Sequence, residues 1–517
     1  MMLSTCLLCL AVAQPQGRVI WSFEANDGIY STVTLPDIDG DSLPDVAAAI
    51  YYGATPSDPR KVYCLSGADG DTIWVNRTAY GTWGNKALDV SPDLNSDGFA
   101  EILLGTAGGY TTPGRSVIAI SGQTGDTLWR YTRYEQWGWV YSVRSFADVD
   151  SDSVADVVAA AGTSTTPPGY AGAGVLVSGR TGSEIWFFRL PSDAAQCVAP
   201  FRDLDSDGIP EVLLGAGGNS INDTLYCLSG RSGSPVWKYK TGGSVSDCEL
   251  VRDVNGSGTD DAVGGGWANT VYCVEGSTGA LIWTSSIGRV VMEIVPVRDL
   301  NSDGIDDVIV GSWDSSVRLL SGLDGSQLWV GYLGADVWSV DTLADVNGDG
   351  RPEVVAAALN GRNVRLFSGA DGSELWFYNF AERVYDVTGA PDLNGDGRPD
   401  VLVGLQDQNN EQHHLFCLDG LPPSGIAAPA PAPDLPRLRI RPGGVITVAA
   451  PPRARYRLSL FDATGRRRLP PVLGIGSGDV ALPLEQFAVG GTLFAVLSVD
   501  GGPVATAKFV LFPAAGR

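Results

Sequence analysis

Histidine is almost missing from this chain of 517 residues: there are two, His413 and His414. Methionine occurs three times, and Asp and Glu outnumber Lys and Arg by 59 to 35. Apart from Cys6 and Cys9 in the apolar opening, no cysteines form a CxxC or a vicinal pair. Each scarcity removes a class of chemistry. A Cys/His zinc site lacks its ligands, and a Ser-His-Asp or Cys-His centre would have to rest on the single His pair. A formal charge of −24 argues against nucleic acid or an anionic membrane surface as a partner, since both select basic surfaces. No run reaches the ~20 apolar residues of a membrane helix. What the chain has in abundance is glycine, 66 residues, and tryptophan, 14, the signature of many short strands joined by tight turns.

The opening "MMLSTCLLCLAVAQPQG" is apolar and ends in Ala11-Val12-Ala13, a small-x-small pattern that reads as a signal peptide over residues 1–13. Export follows, to a secreted or outer-surface location. Without Cys6 and Cys9 the remaining cysteines are 64, 197, 227, 248, 273 and 417. Equivalent positions in neighbouring repeats separate Cys64 from Cys417 and Cys227 from Cys273 by about the ~10 Å of packed sheets, too far for a disulfide. Cys197 and Cys248 are the better-placed pair.

An acidic loop recurs along the chain, starting at Asp37, Asp93, Asp148, Asp203, Asp253, Asp299, Asp345 and Asp392, with spacings of 46 to 56 residues. That period is one four-stranded blade. A second signature keeps step: "CLSGADGDTIW", "AISGQTGDTLW" and their kin, an apolar strand, a glycine turn and a strand ending in Trp74, Trp129, Trp186, Trp237, Trp283, Trp329 or Trp376. The eighth repeat stops at "HLFCLDG" without its Trp strand. "RVIWSF" supplies it from the other end through Trp21, and a strand donated this way closes a ring and removes its open sheet edges. The expectation is an all-β chain: an eight-bladed β-propeller over residues 18–420, with the N-terminal strand closing the last blade. Residues 421–436 form a Pro/Ala linker, and 437–517 a small C-terminal β-sandwich.

"DLNGDGRPD" resembles half of an EF-hand, but the last acid stands at position nine and a short β-rich run follows where an EF-hand has a helix. Side chains at positions 1, 3, 5 and 9, with a carbonyl at 7, give the hard oxygens calcium requires. The sets are Asp37, Asp39, Asp41, Asp45; Asp93, Asn95, Asp97, Glu101; Asp148, Asp150, Asp152, Asp156; and Asp203, Asp205, Asp207, Glu211. They continue with Asp253, Asn255, Asp261; Asp299, Asn301, Asp303, Asp307; Asp345, Asn347, Asp349, Glu353; and Asp392, Asn394, Asp396, Asp400. Ser257 replaces the fifth loop's position-5 acid, making that loop the weakest, and Ser42 and Ser153 stand where other loops have glycine at position 6. Seven bound calcium ions would bring −24 to −10. The expected role of calcium is structural, relieving like charges crowded into one turn.

The acidic loops resemble FG-GAP/VCBS repeats of integrin-α-like propellers, and the Trp strands resemble the PQQ-like repeat. Both repeats imply fold more than activity. The quinone chemistry of PQQ-dependent dehydrogenases uses a vicinal Cys pair that this chain lacks, so that activity is not expected. In the tail, "LFDATGR" (460–466) resembles the C-terminal sorting domain of type IX secretion cargo, which implies the secretion machinery as a partner. Strand patterning there places a turn at Thr464-Gly465 and a closing hairpin at Asp500-Gly501-Gly502.

A ligand site is expected opposite the uniform acidic face. Long connections in the first three blades gather Tyr51, Tyr52, Trp83, Tyr110, Tyr134, Trp137, Trp139 and Tyr170, rings suited to a glycan or a cell-surface protein. Seven residues before each acidic loop stands a second set near the funnel mouth: Tyr30, Lys86, Tyr141, Gln196, Ser246, Met292, Trp338 and Tyr385. These either line a funnel or pack between blades. The expected function is a monomeric, non-catalytic binding or adhesion module. The alternative is a polysaccharide lyase on the same fold, with Lys86, Arg133, Glu135 or the His pair as candidate base.

Overall fold

The computed structural model describes residues 16–421, apart from 26, 52–61, 78–80, 108–114, 134–137, 163–171, 192, 219–221 and 407–412, together with the strands that lie between 437 and 511. The signal-peptide reading at 1–13 and the 421–436 linker fall, but for Leu421, outside the described residues. The chain divides into two compact units, Met1–Pro422 and Pro423–Arg517.

Eight four-stranded antiparallel sheets make up the first unit. In blade 1 the strands run outward from the axis as A (Ile29–Leu35), B (Asp45–Ile50), C (Val62–Leu65) and D (Thr72–Asn76). Blade 8 has A (Arg383–Ala390), B (Asp400–Gln406) and C (His413–Asp419), and its outer strand is Arg18–Ala25 from the chain's other end. Trp21 pairs there with Cys417. The propeller is therefore closed by the N-terminal strand, as the missing eighth Trp strand implied.

B strands begin at or next to the loop's position-nine acid and are buried throughout, as in Asp45–Ile50, Asp307–Ser312 and Glu353–Ala358. Sandwiched between neighbouring blades, they are continuous apolar runs without alternation. D strands face water on one side and keep the Trp on the other. Pro235–Lys240 is exposed or half-exposed except at Trp237.

One glycine couples the two repeat signatures. Each D-strand Trp donates its Nε1–H to the carbonyl of the glycine that follows strand C in the next blade, preceded by serine in six blades. The pairs run Trp21–Gly67, Trp74–Gly122, Trp129–Gly179 and Trp186–Gly230, then Trp237–Gly276, Trp283–Gly322, Trp329–Gly369 and Trp376–Gly420. The same glycine lies so close to position eight of its own acidic loop that a Cβ on Gly322 would sit 1.8 Å from the Asp306 carbonyl oxygen, and one on Gly67 1.9 Å from that of Pro44. Its N–H, in turn, reaches the position-nine acid, at 3.1 Å from Gly67 to Asp45 and 2.9 Å from Gly276 to Asp261. Loop, turn and neighbouring blade thus meet at one residue without a side chain. Each Trp bond contributes about 1 kcal/mol, and the ring repeats it eight times.

The second unit holds a three-stranded sheet (Arg437–Arg441, Val445–Ala449, Gly478–Ala481) and a four-stranded sheet (Val472–Ile475, Arg455–Asp462, Gly491–Val499, Gly502–Leu511). The closing hairpin pairs Val499 with Gly502, at the turn the sequence indicated. The partner strand after "LFDATGR" starts only at Val472, beyond Pro470 and Pro471, which have no N–H to give a ladder.

Candidate functional site

The acidic face is built by local rules. The position-one Asp accepts the N–H of position six in all eight loops and that of position four in six of them, as Asp37 does from Gly40 (2.6 Å) and Ser42 (2.8 Å), and Asp392 from Gly395 and Gly397 (both 2.7 Å). Both donors lie at positive φ. Position four is Gly40, Ser96, Ser151, Ser206, Gly256, Ser302, Gly348 or Gly395, and position six is glycine except at Ser42 (φ 76°) and Ser153 (φ 69°). The sequence reading saw the need at position six. The second left-handed residue, at position four, went unnoticed because serine fills it in four loops.

The position-nine acid is buried in every loop and accepts the N–H of position two at 2.5–3.1 Å, from Ile38 to Asp45 through Leu393 to Asp400. Burial pushes Glu101, Glu211 and Asp400 up to about 7, and Asp156, Asp261 and Asp307 up to about 6, against which those N–H bonds pull. In four loops three carboxylates bring an oxygen each within 4.8 Å of the others: Asp37, Asp39, Asp41; Asp93, Asp97, Glu101; Asp148, Asp150, Asp156; and Asp203, Asp205, Glu211. The position-five acids of loops three and four are held by Arg180 and Arg231 instead. This donor set, hard oxygens drawn together around a partly buried carboxylate, fits calcium. The fifth loop differs. Glu275, which stands where six of the other turns have serine and the eighth has Asp419, accepts hydrogen bonds from Asn255 and from Ser257 (3.0 Å), closing the loop where the position-five acid is missing.

On the axis the geometry is less regular. A register shift falls at the residue seven before the acidic loop in seven of the eight A strands, between Ile29 and Ser31, for example, and between Val337 and Ser339. A bulged residue is left out of the ladder and re-aimed. In blade 2 the position falls in a 3₁₀ turn, Asn85–Ala87. Tyr30, Lys86, Tyr141, Gln196, Ser246, Met292 and Trp338 consequently line one cavity of about 300 Å³, with Trp83, Trp267, Trp313, Asp247 and Glu293. The eighth member, Tyr385, packs on Tyr30 at 4.4 Å between centroids. Both readings open for this set are met: seven of its members line the cavity, while Tyr30 and Tyr385 are also buried against each other in an apolar cluster with Leu359.

Aromatic rings form a continuous belt at this cavity. Trp267 meets Trp313 (5.4 Å), Trp313 stacks on Trp338 (5.9 Å), and Trp338 meets Tyr385. Tyr30 then meets Trp83, Trp83 meets Trp139, and Trp139 meets Tyr141, with Tyr51 against both Tyr30 and Trp83. Of the expected ligand sector, Tyr51, Trp83 and Trp139 are brought together, whereas Tyr52, Tyr110, Tyr134, Trp137 and Tyr170 lie outside the described residues. The restriction to blades one to three is corrected: the belt continues through blades five to eight. Trp267 and Trp313 were missed, although both stand six residues after a position-nine acid, the place Tyr51 holds in blade 1. That register, applied to all repeats, would have found them.

Beneath the belt lie charges. Lys86, from blade 2, crosses the axis to Asp247 and Glu249 of blade 5, both at 2.6 Å. Burial disfavours its ammonium, but the two carboxylates outweigh that and hold its pKa above the ordinary lysine range. Lys86 is thus an ion-paired strut, unsuited to act as a base. Arg133, a second candidate base, pairs with Glu184, while Glu135 and the side chains of His413 and His414 lie outside the described residues. Further along the axis a second cavity of about 400 Å³ includes Lys86, Asp89, Arg144, Glu249, Glu293, Asp341 and Asp386.

Most of these acids cap the next blade's inner strand. Asp89 accepts from Ser145 N–H (3.0 Å), Asp247 from Ile294 (2.8 Å), Glu293 from Val340 (3.0 Å), Asp341 from Gly389 (2.9 Å) and Asp386 from Thr32 (2.7 Å). A propeller's inner strand has an unpaired edge, and these bonds satisfy it. Burial pushes Asp386 up to about 8 and Asp341 to about 6. Nearby, the thiols of Cys197 and Cys248 lie 2.8 Å apart, sulfur to sulfur. All six described cysteines are free and buried.

Comparison with known proteins agrees with the repeats. An FG-GAP-like repeat model matches residues 299–356 and 345–403, over the acidic loops of blades six to eight. The model for outer membrane protein assembly factor BamB matches 9–206, from the closing strand into blade 4. Protein FAM234B of Gallus gallus is 25% identical over 255 residues, 46% of this chain and 38% of that protein, so the match spans well under half of the relative's length. Among solved structures, Saccharomyces cerevisiae Sqt1 is similar at TM-score 0.56 and 12% identity, over 79% of this chain and 100% of that one. The C-terminal WD40 domain of Sif2 gives 0.51 at 14%, over 79% and 99%. Quinohemoprotein alcohol dehydrogenase ADHIIG from Pseudomonas putida HK5 gives 0.52 at 12%, over 82% and 79%. At these identities the likeness is one of fold.

Proposed function

We propose that the chain is an exported, calcium-stabilised propeller that binds a ligand at its axial funnel and performs no chemistry on it. The observation that carries this reading is the belt of nine rings at a cavity lined also by Ser246, whose buried hydroxyl, like the buried indole N–H of Trp313, has no hydrogen-bond partner among the described residues. Aromatic walls with a few convergent polar atoms are what small ligands select, and the C–H faces of a sugar ring suit such walls. A glycan end, or the glycan of a surface protein, is the occupant this reading favours. Calcium in the acidic loops would neutralise the gathered carboxylates and hold the face opposite the funnel. The C-terminal unit would carry the sorting signal to a secretion machinery. The lyase alternative loses Lys86, its candidate base nearest the rings.

The test titrates the calcium-loaded chain with neutral and charged oligosaccharides, following tryptophan fluorescence and, in parallel, ultraviolet absorbance for an unsaturated sugar end. Quenching that Trp338→Ala removes, with no new absorbance, is the expected result. Growing absorbance would make the protein a lyase, and silence in both channels would overturn the funnel as a glycan site.

A further inference from the structure

The charge along the axis narrows the chemistry of the ligand. The walls of the two cavities carry six acids, Asp89, Asp247, Glu249, Glu293, Asp341 and Asp386, against two bases, Lys86 and Arg144; with Asp386 kept protonated by burial up to about pH 8, the acids still outnumber the bases five to two. Both bases already face acids: Lys86 is paired with Asp247 and Glu249, and Arg144 lies 3.9 Å from Glu249. Of the charged residues lining the ring-lined cavity, Glu293 has no basic side chain within ion-pairing distance. It accepts the Val340 N–H at 3.0 Å and lines both cavities. A second carboxylate or a phosphate brought here would meet excess negative charge at low dielectric. A cation would meet the opposite, together with the electron-rich faces that stabilise organic cations within ~6 Å of a ring centroid.

Two polar atoms refine the picture. Both atoms are buried and without a hydrogen-bond partner among the described residues; the Ser246 hydroxyl accepts as well as donates, whereas the Trp313 indole N–H donates only. Turned toward the cavity their residues line, the first would suit an ammonium N–H and the second a ligand oxygen. On these grounds, and resting on the funnel as the binding site, we infer that the funnel takes a ligand that presents an organic ammonium group beside hydroxyl oxygens. An amino sugar and a choline-type headgroup share that chemistry, while uronic-acid chains lack it.

The experiment uses the full chain with calcium, isothermal titration, and four probes: a glucosamine trisaccharide, its fully N-acetylated form, a glucuronate trisaccharide and choline. The amino trisaccharide is expected to bind at least about tenfold tighter than the acetylated one. Glu293→Gln, which keeps an acceptor for the Val340 N–H, should erase that difference while leaving the melting temperature in place. Choline binding alone, with the same dependence on Glu293, would also support the ammonium and identify a headgroup as its source. Equal affinity for the amino and acetylated sugars, or preference for glucuronate, would overturn the ammonium inference and leave the aromatic funnel standing. Ammonium binding that survives both Glu293→Gln and Trp338→Ala would belong to the acidic surface and overturn it too. If no probe binds at all, the funnel reading falls with it.

Discussion

The two faces of the propeller obey different rules. On the acidic face the same residue types recur at nearly every loop position, and three contacts recur eight times with them: position six to Asp one, position two to acid nine, and Trp to glycine. On the funnel face eight equivalent positions, seven of them bulges, carry Tyr, Lys, Tyr, Gln, Ser, Met, Trp and Tyr. Repetition marks what every blade must do to join its neighbours. Variation at a fixed geometry marks a surface that the ring supports and does not itself need.

Calcium removal should separate the faces most sharply. Chelation is expected to lower the melting temperature by at least about 10 °C, because ions bound only to the folded state each add stability through mass action. Trp338→Ala should move it far less and abolish ligand quenching instead. An unchanged melting curve after chelation, checked by metal analysis, would sink the structural role of calcium.

Gly322→Ala comes next. The new Cβ would lie 1.8 Å from the Asp306 carbonyl oxygen, a backbone clash that should cost about 3 kcal/mol in denaturant unfolding. A cost near zero would mean that the loop–turn–blade junction yields easily.

Asp386 offers a pH-dependent contrast. Its folded-state pKa is pushed up to about 8 from 3.8 by burial, so the folded protein keeps a proton that the unfolded chain releases above pH 4. Stability from this group is full below about pH 4 and is lost as pH rises through about 8. Asp386→Asn, which still accepts from Thr32, should match wild type near pH 4 and be the more stable protein above pH 8. Melting curves across that range give the difference directly, and a flat difference would show Asp386 ionised throughout.

The smallest effect lies within the acidic face. Asp303→Ala in loop six should remove one bound calcium per chain. Glu275→Ala should leave the calcium count unchanged and loosen loop five locally, seen as faster amide exchange at Ser257 and Gly258. A lost ion in the second variant would show that loop five binds metal through Glu275.

Much of the fold was legible because its determinants are local and repeated. The 46–56-residue period, the Trp strand missing at one end and present at the other, and the glycine turns fix blade number and closure. The acidic sets were legible for the same reason, since a nine-residue loop brings its own acids together. Loop five was read only in part: Ser257 announced a missing acid, but Glu275, 18 residues on, completes the loop across a turn. The ligand sector was harder. Grouping aromatics by connection length favoured the first three blades, whereas short turns in blades five and six bring Trp267 and Trp313 to the same belt.

The sequence by itself determined the ring, its closure and the chemistry of its acidic face, because each depends on contacts within one repeat or between consecutive ones. Only the tertiary structure decided what meets on the axis. Lys86 and Asp247 stand 161 residues apart and touch at 2.6 Å, and Tyr30 packs on Tyr385 across the seam where the ring closes. The axis of a closed ring brings together one residue from each blade, and no spacing along the chain specifies which of them face one another across it.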